Sequence, residues 1–197
     1  RLVRKQSKNI LDRKINFAME KGIARRIVKM KKRWAYILIG NDRTGKTTFQ
    51  KIVLRILTGK EVEKLNCNNS FDLDISYGLN WYKTIFLMNR SFQEKQNDYG
   101  SVEGYFDKSF KDSDICILSS HLDEIAIGKM LQELRKRFYN IGGVFFSNSV
   151  NHDSEKNKTV ASLDWQERLF IENDEAEEWE YQLERNAHDF VNHIISK

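Results

Sequence analysis

Residues 35–48 read Ala35-Tyr36-Ile37-Leu38-Ile39-Gly40-Asn41-Asp42-Arg43-Thr44-Gly45-Lys46-Thr47-Thr48. An apolar run of strand length ends at Gly40, a polar turn follows, and Lys46 opens a stretch with helical spacing. The turn fits G-x-x-x-x-G-K-[ST] in the strand-before, helix-after context that gives the pattern its meaning. Glycine is needed at both ends because the backbone must curl around phosphate oxygens without Cβ clashes, its N–H groups turned inward at a helix start. Lys46 supplies a point charge for β- and γ-phosphates, Thr47 offers a hydroxyl to Mg²⁺, and Thr48 reaches an α-phosphate oxygen. The expected ligands are ATP and Mg²⁺. They would be held by Gly40, Asn41, Asp42, Arg43, Thr44, Gly45, Lys46, Thr47 and Thr48, with Thr47 as the metal ligand.

Outward from this turn, short apolar runs alternate with helix-like stretches, the pattern of an α/β domain with a largely parallel sheet. Strands are expected at 35–39, 84–88, 115–118, 143–146 and 169–171, and helices at 46–57, 102–110, 122–139 and 175–195. Gly59 is a natural terminator for the first helix. The expected fold is a three-layer α/β P-loop domain over residues 34–197 with a mainly parallel five-stranded sheet. Residues 66–70 and 148–162 read as loops, the second long enough to be a lid. Asp72 and Asp74 alternate with apolar neighbours, as on the polar side of a short edge strand, with acceptor or Mg²⁺ contact as the functional alternative.

The chain carries +5 overall, but residues 1–33 hold thirteen Lys or Arg against only Asp12 and Glu20, so the other 164 residues are net acidic. Leu11, Ile15, Met19, Ile23 and Ile27 recur every four residues with Lys14, Arg25, Arg26 and Lys29 between them, a basic amphipathic helix preceding the domain. The plainer reading packs its apolar face and leaves the cations solvated. Nucleic-acid phosphate, a protein partner or an anionic membrane surface are the functional alternatives. No apolar stretch approaches the roughly 20 residues of a membrane span. Cys67 and Cys116 lie far apart and suit a reducing compartment, so a cytoplasmic location is expected. The four histidines show no ligand cluster in sequence, His188 and His193 being poorly spaced for one metal. Trp165, Trp179 and Phe190 read as core or interface residues, with base stacking as the functional alternative.

Ile37-Leu38-Ile39 with Asp42-Arg43-Thr44-Gly45-Lys46-Thr47-Thr48 resembles the strand and P-loop of the thymidylate kinase family. Family members and related phage deoxynucleotide kinases place Asp-Arg at the end of the next central strand, then serine, an aromatic residue and Tyr-Gly. Here Ile85-Phe86-Leu87-Met88 runs into Asn89-Arg90-Ser91-Phe92, with Tyr99-Gly100 beyond. The resemblance covers roughly residues 35–100. It implies transfer of the ATP γ-phosphoryl group to a (deoxy)nucleoside monophosphate. It also implies Arg90 as the clamp on the acceptor phosphate, Asp42 as a carboxylate beside the acceptor and Arg43 as the cation on the transferred group. Asn89 stands where the family has aspartate, and the interval before residue 143 leaves room for one helix and hardly any lid. Arg135, Lys136 and Arg137 on that helix are a solvated face or late contributors to the phosphates.

The competing expectation is a P-loop ATPase or GTPase, or a catalytically weak kinase-like domain, acting on a protein or nucleic-acid partner. Such an ATPase needs a strand ending in an acidic pair. Ile115-Cys116-Ile117-Leu118 ends instead in Ser119-Ser120, and Asp123-Glu124 suits the start of the next helix, where negative charge complements the dipole. If the basic segment grips nucleic acid, deleting residues 1–33 lowers retention of a labelled oligonucleotide in a gel-shift assay; unchanged retention excludes that role.

Overall fold

The structure, a computed structural model, describes residues 32–74, 82–147, 154–172 and 178–197. The chain divides into two units, Arg1–Lys32 and Arg33–Lys197, and the strands and helices described belong to the second. Of the basic helical extension expected over residues 1–33, residues 1–31 lie outside the described residues, and Arg33 is corrected to the first residue of a strand.

Six strands form one sheet in the order β2-β3-β4-β1-β5-β6. They are β1 (Arg33–Ile39), β2 (Asn69–Asp72), β3 (Thr84–Leu87), β4 (Ile115–Ser120), β5 (Tyr139–Phe146) and β6 (Glu167–Ile171). β1 lies at the centre, parallel to β4 on one side and β5 on the other, with Ile37 opposite both Leu118 and Gly143. β3 and β6 extend the parallel set, and only β2 runs antiparallel, against β3. The expected five-stranded sheet is thus corrected to six. The added strand is hidden in the sequence because Asn69-Ser70-Phe71-Asp72 is a polar edge segment with no fully buried residue, so no apolar run announces it.

The period of two in β1 divides the core. Trp34, Tyr36 and Leu38 join one apolar cluster, and Ala35, Ile37 and Ile39 join the other. The first cluster is roofed by α1 (Lys46–Thr58) through Phe49, Val53 and Leu57. It is also roofed by α6 (Trp179–Ile195) through Leu183, Ala187, Phe190 and Ile194. Phe190 meets Tyr36 edge-on with ring centroids 4.9 Å apart. The opposite face carries α3 (Val102–Lys108), α4 (Glu124–Lys136) and α5 (Ser154–Ser162) through Tyr105, Ile127, Met130, Leu134 and Val160. A short α2 (Gln96–Tyr99) precedes α3. The sheet therefore has helices on both faces, as a parallel sheet requires to keep both sides dry. Among the described residues no helix is long and apolar enough to cross a membrane.

Boundaries differ from expectation where local chemistry is ambiguous. The expected loop 148–162 is α5 over its last part, because Asn157 and Val160, three apart, turn one narrow face inward; residues 148–153 lie outside the described set. The helix expected over 122–139 stops at Lys136, since Phe138 takes φ 61 and Tyr139 already belongs to β5. The expected loop 66–70 gives its end to β2, and Asp74 N–H donates to the Leu57 carbonyl at 3.1 Å.

The carboxyl end of α6 is pinned to β6 by Glu167, which accepts from Lys197 Nζ at 2.5 Å and faces His193 Nε2 at 3.1 Å from both oxygens. Burial raises this carboxyl, but bonds from Lys197, Tyr36 and His193 outweigh it and hold it below the ordinary value. A depressed carboxylate contributes stability above its unfolded pKa and loses it as pH falls through the folded one. Glu167→Gln is therefore expected to lower stability by about 1–2 kcal/mol at pH 7. Urea melts should show that deficit shrinking below roughly pH 4.

Candidate functional site

The carboxyl ends of β1, β4 and β3 lie side by side, and the site is built where the chain leaves them. Gly40 N–H donates to the Ser120 carbonyl at 3.2 Å, tying the start of the turn to the end of β4. Asn41, Asp42 and Arg43 are exposed, and Thr44 turns inward to donate from Oγ1 to the Asn41 carbonyl at 3.0 Å. Arg43 takes φ 61 and Gly45 φ 86, both left-handed, so the chain reverses twice before α1 begins. Gly45 caps α1 without a side-chain bond, and the first turn holds no acidic residue. The orphan N–H groups and the positive end of the helix dipole are left without a side-chain cap, the arrangement that favours an anion.

Lys46 is only 7% exposed. Its Nζ donates to the Gly40 carbonyl at 2.5 Å, the Asn41 carbonyl at 2.6 Å and Thr44 Oγ1 at 3.3 Å, so the ammonium sits inside the curl of the turn. Burial pushes it down to about 8, with Asp42 and Glu94 pulling the other way. Thr47 is exposed and its Oγ1 donates to the Asn89 carbonyl at 3.3 Å; Thr48 follows, half-buried. Gln50, fully buried, donates from Nε2 to the Met88 carbonyl at 3.2 Å and to Ser119 Oγ at 3.1 Å, bolting α1 to the ends of β3 and β4.

Asn89 and Arg90 leave β3, which is separated from β1 by β4. Asn89 is buried and donates from Nδ2 to the Leu65 carbonyl at 2.7 Å, while its Oδ1 finds no partner among the described residues. Arg90 is held by Glu94, NH1 to Oε2 at 3.0 Å, so an acid four residues on orients the guanidinium where Asn89 has no charge to do so. Ser119 and Ser120 end β4 beside the turn, and Asp123 caps α4 by accepting from Ala126 N–H at 3.0 Å. Arg135, Lys136 and Arg137 lie at the other end of the sheet. Arg137 offers its carbonyl to Arg33 at the start of β1, roughly 20 Å of strand away from Gly40. There Lys136 and Arg137 bond Glu133, and Arg135 pairs with Asp164.

Ser91, quoted in the sequence only as part of the Asn89-Arg90-Ser91-Phe92 run, and Glu94 and His121, given no role there, complete the site. His121, the first residue after β4, has Nε2 at 3.0 Å from Asp42 Oδ1, 3.0 Å from Ser91 Oγ and 3.8 Å from Glu94 Oε1. Glu94 Oε1 also accepts from Ser91 N–H at 3.1 Å and Ser91 Oγ at 2.8 Å. Burial raises the Glu94 carboxyl, and the bonds from Ser91 and Arg90 outweigh it and hold it low. Asp42, Glu94 and His121 bring donor atoms within 4.8 Å of one another, and the uncapped α1 start with buried Lys46 suits phosphate.

A Cβ on Gly45 would lie 2.9 Å from Leu183 Cδ1 of α6, in a backbone conformation that costs a side chain about 1–2 kcal/mol. Gly45→Ala is expected to lower unfolding free energy by about that amount in urea, the Leu183 tip giving way. No protein-family model matches the chain, and neither a curated protein nor a solved structure matches it.

Proposed function

We propose that the chain binds a nucleoside triphosphate with Mg²⁺ on residues 40–48 and passes the γ-phosphoryl group to a (deoxy)nucleoside monophosphate. The observation that carries the reading is the uncapped amino terminus of α1, with left-handed Gly45 and buried Lys46 facing the junction of β1 and β4. In this reading Lys46 exchanges its bonds to the Gly40 and Asn41 carbonyls for β- and γ-phosphate oxygens. Thr47 would hold Mg²⁺, which would supply neutralisation of the phosphate charge. Thr48 bonds an α-phosphate oxygen. Arg43, exposed at the crest of the turn, stabilises charge on the transferred group, since phosphoryl transfer depends mostly on positioning and electrostatics. Arg90, presented by Glu94, grips the acceptor phosphate, with Asp42 alongside. In this reading, β4 ending in Ser119-Ser120 rather than in an acidic pair favours transfer over hydrolysis.

One observation favours a second reading, an NTPase or a binding domain serving a protein or nucleic-acid partner: the guanidinium of Arg90 is already engaged by Glu94, and Asn89 brings no charge. Calorimetry with Mg-ATP is expected to show binding by the wild type and none by Lys46→Ala; absence of heat with the wild type refutes the nucleotide site. Incubation with Mg-ATP and each monophosphate, followed by product separation, is expected to give acceptor-dependent ADP. Acceptor-independent phosphate identifies a hydrolase, and binding without either product identifies a non-catalytic module.

A further inference from the structure

His121 is over-supplied with partners. A single imidazole nitrogen offers one in-plane hydrogen-bonding position, yet Asp42 Oδ1 and Ser91 Oγ each lie 3.0 Å from Nε2, and Glu94 Oε1 lies 3.8 Å away. The donor atoms of Asp42, Glu94 and His121 all fall within 4.8 Å of one another, while Arg90 engages the other oxygen of Glu94. Donors around a cation at about 2.0–2.1 Å are spaced roughly 3.0–3.4 Å apart in octahedral or tetrahedral geometry. The His121 distances of 3.0 and 3.8 Å bracket that spacing.

We propose that His121, Asp42 and Glu94 form a site for a first-row transition-metal dication that fills without nucleotide. Such a site goes beyond the nucleotide reading, in which Thr47 serves Mg²⁺, and does not depend on it. The ligand chemistry sets the class: one imidazole with two carboxylates suits Zn²⁺, Mn²⁺ or Co²⁺, whereas Mg²⁺ and Ca²⁺ prefer oxygen alone. Each ligand comes from a different strand end: Asp42 follows β1, Glu94 follows β3 and His121 follows β4. The three converge only in the folded chain. Supporting bonds are already made. Ser91 and Arg90 fix the Glu94 carboxylate, the kind of outer support on which metal affinity depends, and Gln93 Oε1 anchors the His121 backbone by accepting its N–H at 3.2 Å. Three protein ligands leave a coordination position open beside the phosphate-facing turn, as catalytic rather than purely structural sites do.

The test is a Co²⁺ titration of the full chain, stripped with a chelator and free of nucleotide, followed by visible d–d absorption. One equivalent is expected to bind and to resist a large excess of Mg²⁺. His121→Ala and Glu94→Gln should each weaken it at least tenfold, and His188→Ala, on α6 away from the cluster, should leave it unchanged. Asp42 is 74% exposed, so Asp42→Asn keeps the fold and should weaken binding likewise. Absence of Co²⁺ binding, or binding untouched by His121→Ala and Asp42→Asn, overturns the site. Because the titration contains no nucleotide, its failure and that of the Mg-ATP calorimetry are separate results.

Discussion

The first turn of α1 presents backbone N–H groups that no side chain caps, and the surrounding residues are arranged about that unmet demand. β1 and β4 deliver the turn to the helix start, and the bond from Gly40 to Ser120 fixes its entry. Gln50 reaches across to Met88 and Ser119, so the helix cannot drift away from the strand ends. Lys46 is the costly member of the set. Its ammonium is buried and its protonated form disfavoured, and only oxygens of the turn and two nearby carboxylates compensate. A group held at such cost is characteristic of sites organised for a ligand rather than for stability.

The parts of the fold legible in the sequence are those whose residues are buried on both sides of the sheet. Ile37, Ile117 and Val144 sit in strands that are apolar almost throughout, so β1, β4 and β5 announce themselves. β2 leaves no such signal, because an edge strand needs only backbone pairing, and Asn69-Ser70-Phe71-Asp72 offers little else. α5 is hidden for a related reason: only Asn157 and Val160 turn inward, too sparse a pattern for helical periodicity to register.

The site divides along the same line. Residues 40–48 are contiguous, and their chemistry is written in their spacing. Ser91, Glu94 and His121 are scattered over the chain and meet because β3, β4 and β1 are neighbours in that order. Sheet order is a long-range property that no local window contains, so the convergence on His121 requires the register of the strands. The one local hint is positional: a histidine immediately after a buried strand, at the end of the sheet where α/β proteins gather their ligands.

Leu183 touches the space above Gly45, which makes α6 the back wall of the turn. This helix, far in sequence from residues 40–48, thus limits the space beside Gly45. Trp179 and Tyr181 are exposed on the same helix, so a tilt of α6 that moved Leu183 would change the room beside Gly45 from outside the turn.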